Sequence, residues 1–216
     1  TSPAARDTIR ELWHGDGMNF GTVFEVEDYQ NLMQVVAQTR HVAGDYVEIG
    51  VSRASSARIA LHFMRKLGIT RRCFFLDTFD GFNYPQAFES ADCYWRGDGS
   101  TWGQQARATA AIAPYADTPG LDVHVVRSNI IADELPGTIQ AIAVANIDVD
   151  MLGAVRAAMA KVHPRLVPGG VMIVEDAGHT PLLYGARAAV DEFVAHHGAA
   201  YFTLHLSSGQ VLFLKR

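Results

Sequence analysis

Cysteine is scarce: Cys73 and Cys93 are the only two in 216 residues, which excludes a disulfide framework and any cysteine-based metal spacing. Cys73 opens an apolar run and reads as a small core residue, whereas Cys93 falls in an irregular, aromatic stretch. A reducing, cytoplasmic setting is the simplest expectation. Long hydrophobic runs are missing too; none approaches the roughly 18 residues that span a bilayer. The opening stretch, Thr1 to Gly17, lacks the apolar centre of a signal peptide, so no membrane association is expected. Clustered positive charge is absent: the net charge is −5, and the short Arg71-Arg72 pair is expected to flank a strand. Nucleic acid, whose phosphates need grouped Lys and Arg, is therefore not an expected partner. There is no internal repeat, low-complexity tract or linker. With 49% hydrophobic and 19% charged residues, a single globular domain over 1–216 with a substantial core is expected.

What is present is an alternation of periods. A helical pattern from about Asp28 to His41 puts Tyr29, Leu32, Met33 and Val36 on one face, and the strand Tyr46 to Gly50 follows. Then come a helix from Ala54 to Leu67, a strand Cys73 to Asp77, and an irregular stretch rich in Gly, Tyr and Trp. A helix near Gln104 to Ala113 precedes strands Leu121 to Val126 and Ala141 to Ile147. A helix from Leu152 to His163, a strand Val171 to Val174 and a helix Tyr184 to His197 complete the alternation. Two last strands, Ala200 to Leu206 and Gln210 to Leu214, are joined only by Ser207-Ser208-Gly209, too short for a parallel crossover. They must form an antiparallel hairpin, whereas an ordinary dinucleotide-binding fold keeps its last strand parallel. The expected fold is α/β: a mostly parallel seven-stranded sheet with a C-terminal antiparallel hairpin and helices on both faces. That is the arrangement of class I S-adenosylmethionine-dependent methyltransferases.

Two strand ends carry acids. Asp148-Val149-Asp150 closes the run Ala141 to Ile147, and Glu175-Asp176 closes Val171 to Val174. Ligands of open α/β sheets bind outside the carboxyl ends of the strands. If these two strands are neighbours, up to four carboxylates converge there, a natural site for a hard divalent cation. The alternative is that the acids cap helices or are solvated loop charges.

The turn after the first strand, Glu48-Ile49-Gly50-Val51-Ser52-Arg53-Ala54-Ser55-Ser56, has one glycine where a pyrophosphate turn wants three. S-adenosylmethionine has no phosphate and carries a sulfonium cation, so Glu48 beside the close-approach Gly50 suits it better. Ser55 and Ser56 either touch the cofactor or cap the following helix. Asp77, at the end of the second strand, can accept from both ribose hydroxyls of an adenosine cofactor or cap the next turn.

These residues resemble the macrocin O-methyltransferase family. The likeness lies in Gly44-Asp45-Tyr46-Val47-Glu48-Ile49-Gly50-Val51, Leu76-Asp77-Thr78-Phe79-Asp80-Gly81-Phe82, and Asn146-Ile147-Asp148-Val149-Asp150. It continues through His163-Pro164-Arg165-Leu166-Val167-Pro168-Gly169-Gly170-Val171, Val174-Glu175-Asp176-Ala177-Gly178-His179 and Gly185 to Phe193. The resemblance implies methyl transfer from S-adenosylmethionine to a hydroxyl, often on a sugar of a natural product, assisted by Mg²⁺ or Mn²⁺. It implies Asp148, Glu175 and Asp176 as metal ligands and Asp150 as general base. Glu48, Gly50 and Asp77 fall on its cofactor positions, and Ser128 and Asn129 where the adenine edge is read. The chain departs from the family pattern at Met151-Leu152-Gly153-Ala154 and in having Glu175 rather than Asp in the second acidic pair.

His179 is a candidate second base or acceptor contact, or else a structural hydrogen-bonder. The segment 79–102, with Phe82, Tyr84, Phe88, Tyr94, Trp95 and Trp102, is a candidate lid, a dimer contact or ordinary packing. The N-terminal segment 1–44, with Trp13, Met18 and Phe20, is a helical or lid segment that can close over the same edge. The expected acceptor is a hydroxylated, glycosylated small molecule. The alternatives are a catechol or phenol acceptor, a non-catalytic S-adenosylmethionine-binding protein and, more distantly, a nicotinamide oxidoreductase. A homo-oligomer is expected from general frequency.

Overall fold

A computed structural model describes residues 2–16, 26–92, 105–178 and 184–216. Helices α1 (Pro3–Asp16) and α2 (Val26–Gln38) precede the first strand, β1 (Asp45–Ile49). The alternation continues with α3 (Ser55–Leu67), β2 (Arg71–Asp77), the short α4 (Pro85–Glu89), α5 (Gln105–Ile112) and β3 (Leu121–Arg127). Then follow β4 (Ile142–Ile147), α6 (Leu152–Val162), β5 (Leu166–Val174), α7 (Tyr184–His197), β6 (Tyr201–His205) and β7 (Val211–Lys215). The seven strands form one sheet in the order β3-β2-β1-β4-β5-β7-β6. Only β7 runs against the rest, antiparallel to both β5 and β6. The terminal hairpin expected from the short Ser207 to Gly209 connection is therefore present, and it slots β7 between β5 and β6.

Both faces of the sheet are covered, which is why every residue of β1 and β4 is buried. On one face Tyr46, Phe75, Val144 and Ile173 pack with α1, α2, α3 and α5. On the other Val47, Leu76, Ile147, Met172 and Phe213 pack with α6 and α7. Strand order reverses at the β1–β4 pair, where Ile49 lies opposite both Leu76 and Ile147. Ile147 in turn lies opposite Val174. Gly50, Asp77, Asp148 and Glu175 consequently leave the sheet at one level, along one edge.

Two local expectations are corrected. Arg71 and Arg72 lie inside β2 rather than beside it. The Arg72 guanidinium reaches Asp45 through two 2.9 Å hydrogen bonds, and Arg71 donates to the carbonyl of Thr39 at 2.8 Å, so each charge has a partner at the strand's start. β5 begins at Leu166, not Val171, and holds Pro168-Gly169-Gly170 within it. The β4 register shifts between Ile142 and Val144, opposite this stretch, so the glycines form an irregularity in a strand instead of a turn. Among the described residues no helix is long and apolar enough to cross a membrane.

Phe213 is fully buried, with the rings of Phe193 and Tyr201 at 5.4 and 5.7 Å. Phe213→Ala is expected to cost about 3–5 kcal/mol of unfolding free energy, measured from urea midpoints. A loss below about 1 kcal/mol would show that β7 does not anchor this face.

Candidate active site

β4 delivers the acids. All six of its residues are buried, and the backbone continues the ladder for one more step, with the Asp148 N–H on the Ile49 carbonyl at 2.8 Å. Gly50 is required beneath it: its φ is +91°, and a Cβ there would overlap the Asp148 carbonyl. The glycine's close approach is thus to the neighbouring strand end. The chain then turns sharply, with the Met151 N–H on the Val149 carbonyl at 2.6 Å and Asp150 in the left-handed region at φ +57°. The result is that Asp148, Asp150 and Asp176 each place a carboxylate oxygen within 4.8 Å of the others. Asp148 and Asp150 are half-buried and Asp176 is buried.

This cluster is electrostatically tense. Asp176 is hydrogen-bonded by the Asp148 side chain and by the Asp150 backbone N–H, yet burial still pushes its carboxyl up to about 7. Burial, followed by repulsion from Asp176, Asp150, Glu175 and Glu48, holds Asp148 well above the usual carboxylate range. Both aspartates in direct contact are thus held toward the protonated form.

Glu175 lies outside the group of three, although the sequence suggested it with Asp148 and Asp176. Consecutive residues leaving a strand point to opposite sides. Glu175 turns toward β7 and α2, where it accepts a 2.6 Å hydrogen bond from Gln210 Nε2. Gln210 is itself held by Asn31 at 2.8 Å. Burial, then Asp28, Asp176 and Glu48, raise the Glu175 carboxyl. Asp150, for which the resemblance implies the role of general base, is a member of the cluster.

The other half of the edge is built on β1 and β2. Glu48 is fully buried, with Oε2 accepting from the Tyr46 hydroxyl at 2.6 Å and Oε1 from Ser56 at 2.8 Å. Its pKa rises from 4.5 to about 7 because burial, helped by Asp77, outweighs these hydrogen bonds. Neither serine caps α3: the cap position is Ala54, left-handed at φ +64°, and Ser55 instead hydrogen-bonds with Tyr29. Asp77 works as a backbone staple. Its Oδ2 accepts the N–H groups of Val51 and Ser52 at 2.6 and 2.8 Å, and its Oδ1 accepts that of Phe79 at 2.7 Å. The Thr78 hydroxyl also donates to Oδ1, at a longer 3.4 Å. Non-glycine residues with left-handed backbone among the described residues are Ser52, Ala54, Phe79 and Asp150, all at this edge. Strain collected at one edge marks a functional site.

These pieces border one open cleft of about 660 Å³, solvent-side space included, lined by Gly50, Asp77, Ser128, Asn129, Asp148 and Asp150. Ser128 Oγ is buried there without a hydrogen-bond partner. The Asn129 side chain is already engaged, donating to Gln86 at 3.1 Å and accepting from the Ile131 N–H at 3.1 Å. Glu48, Ser55, Glu175 and Asp176 stand behind this wall. His179 lies outside the described residues, as do Cys93, Tyr94, Trp95 and Trp102 of the aromatic segment and Met18 and Phe20 near the N-terminus. In the described part of the aromatic segment, Phe82 and Tyr84 line the cleft, while Phe88 is half exposed. Phe82, Ala87 and Tyr84 pack on Met151.

Sequence reasoning missed Asn146 and Asp92. Asn146 is fully buried in β4 opposite Glu48, and neither its side-chain N nor its O has a partner. An amide inside an otherwise apolar run is the signal that was there to read. Asp92 gives no such signal, because its partners are distant in sequence.

A family model described as Macrocin-O-methyltransferase (TylF) matches residues 22–206. Among solved structures, the O-methyltransferase NovP aligns with a TM-score of 0.75 at 19% identity, covering 88% of this chain and 80% of its own. CalS11, a calicheamicin methyltransferase, aligns at 0.68 and 15% identity over 99% of this chain and 93% of its own. An apo form of CalS11 is described as a TDP-rhamnose 3'-O-methyltransferase. TomG from Streptomyces achromogenes, solved with S-adenosylmethionine, aligns at 0.57 and 12% identity over 100% of this chain and 90% of its own. At these identities the structures establish the fold. No curated protein matches the chain.

Glu48 generates a pH prediction. Its folded pKa of about 7 lies above its ordinary 4.5, so the folded state favours the protonated form. The stability this contributes is complete below about pH 4.5 and is lost as pH rises through 7. Between pH 5 and 8, Glu48→Gln is expected to gain on the wild type by up to about 3 kcal/mol in denaturant melts. A difference independent of pH would mean that Glu48 ionises normally.

Proposed function

This chain belongs to the macrocin O-methyltransferase family and is an S-adenosylmethionine-dependent O-methyltransferase; we propose that it methylates a sugar hydroxyl of a natural product with the help of a divalent metal ion. The observation that carries this reading is the Asp148, Asp150 and Asp176 cluster, of which Asp148 and Asp150 line the same cleft as Gly50, Asp77 and Ser128. The donor set fits Mg²⁺ or Mn²⁺: it offers three hard oxygens within 4.8 Å of one another, and charge repulsion within it calls for a cation. Asp148 and Asp176 would hold the metal, with Glu175 supporting them from behind through Gln210. Bound there, the metal would supply a Lewis acid that lowers the pKa of an acceptor hydroxyl.

The protein's own groups divide the remaining work. Asp150, on the cleft side of the cluster, is the base that accepts the hydroxyl proton. Asp77, pinned by three backbone N–H groups, presents Oδ1 to a ribose, and the orphaned Ser128 hydroxyl meets the adenine edge. Glu48 would stand behind the methionyl part of the donor, whose positive charge would favour the ionised form of its raised carboxyl. S-adenosylmethionine supplies the methyl on a sulfonium, a leaving group that needs no proton. Phe82 and Tyr84 narrow the cleft beside Asp150, which favours in-line approach by restricting the acceptor. The sugar acceptor finds support in CalS11, described as acting on TDP-rhamnose, rather than in any contact within this chain.

In a test of S-adenosylhomocysteine release with nucleotide sugars, glycosides and catechols, turnover is expected with a sugar-bearing acceptor and to cease on chelation. Turnover with catechols alone would replace the sugar reading. With the acceptor that turns over best, Asp150→Asn is expected to lower kcat by about 10²–10⁴-fold while S-adenosylhomocysteine affinity is kept. A variant with wild-type kcat would remove Asp150 as the base.

A further inference from the structure

We propose that Asp92 is a positioning residue for the carboxylate cluster, holding the Asp148–Leu152 turn in shape by capping α6 from a distant part of the chain. Asp92 is 7% exposed, and its Oδ2 accepts the Leu152 N–H at 2.8 Å. Its Oδ1 accepts a hydrogen bond from the Ser90 hydroxyl. The residue at the cap position of α6, Met151, provides no side-chain hydrogen bond, so Asp92 supplies from 60 positions away what a local Ser or Asp usually supplies. A negative charge at a helix N-terminus is also favoured by the helix dipole.

The site on which Asp92 docks is shaped for it. Gly185, in the first turn of α7, lies so close that a Cβ would overlap the Asp92 carboxylate. Only glycine leaves room, and the carboxylate is therefore wedged between the starts of α6 and α7. Nearby, Met151 is 1% exposed and packs against Phe82, Ala87 and Tyr84, residues of the same aromatic segment as Asp92. The backbone on both sides of Met151 is thus clamped, once by its own side chain and once at the following N–H.

The consequence falls on Asp150 and Asp176. Asp150 occupies a left-handed conformation that a free aspartate seldom keeps, and its backbone N–H is bonded to the Asp176 carboxylate. If the turn relaxes, that N–H moves and Asp176 loses a group that orients it. Asp92 is itself neither a residue of the cleft lining nor a member of the cluster, and it acts through the turn.

The proposal rests on the metal reading of the cluster, so the experiment monitors Mn²⁺ by electron paramagnetic resonance with saturating S-adenosylhomocysteine. It compares wild type, Asp92→Ala, Asp92→Asn and Asp148→Asn, with S-adenosylhomocysteine affinity measured separately. Asp92→Ala is expected to weaken Mn²⁺ binding about tenfold, the size of a lost cap. Its S-adenosylhomocysteine affinity is expected to stay within about twofold of wild type, because the cap is not part of the cofactor wall. Asp92→Asn keeps a side-chain carbonyl for the Leu152 N–H and is expected to fall within about threefold of wild type. Wild-type Mn²⁺ affinity in Asp92→Ala, with binding lost in Asp148→Asn, overturns the proposal alone. Asp92→Asn as weak as Asp92→Ala, with S-adenosylhomocysteine affinity falling in both, overturns it in favour of a general structural role. Absence of saturable Mn²⁺ binding in the wild type overturns the metal reading and this proposal together.

Discussion

The pairing of β1 with β4 is the constraint on which the rest of the molecule depends. The strand order reverses there, so the loops after β1 and β4 diverge and leave a crevice between them. The two strand ends must also come close, and Gly50 lets the Asp148 carbonyl take the space a side chain would fill. That contact brings the half of the edge built on Glu48 and Asp77 against the half built on the aspartates. A methyl donor and its acceptor need that adjacency, because the reacting atoms must be held in line.

Burying acids without cations is costly, and the fold bears that cost at one edge. Glu48, Asp148, Glu175 and Asp176 all have carboxyls pushed upward, in each case mainly by burial. Two of them are made tolerable by neutral donors: Tyr46 and Ser56 for Glu48, and Gln210 for Glu175. In the cluster of three aspartates, Asp176 is bonded by the Asp148 side chain and the Asp150 backbone N–H. This asymmetry separates Glu48 and Glu175 from the three clustered aspartates. A pair satisfied by neutral hydrogen bonds is part of the wall, whereas a group that repels itself is completed by positive charge.

Rigidity around the cleft comes from long-range staples more than from local propensity. Asp77 ties the turn after β1 to the turn after β2, and Asp92 ties the aromatic segment to α6 and α7. Each staple holds a strained residue nearby: Ser52, Ala54 and Phe79 for the first, Asp150 for the second. Strained backbone persists only where its surroundings over-determine it. These carboxylates act as scaffolding.

Much of this was legible in the chain itself. Apolar runs closed by acids announced buried parallel strands with carboxylates at their ends, and the three-residue link before β7 required an antiparallel hairpin. Those readings rest on periodicity and chain length, which are local. Proline and glycine misled at Pro168-Gly169-Gly170, because a bulge and a turn share the same residues and only the partner strand distinguishes them. Which of the consecutive Glu175 and Asp176 faces the cluster, whether Ser56 caps its helix or serves Glu48, and what Asp92 holds were decided by tertiary structure alone. The physical reason is that each depends on the direction of a side chain toward a partner far away in sequence. Sequence by itself determined which groups reach the edge of the sheet; the packing of distant segments decided which of them meet.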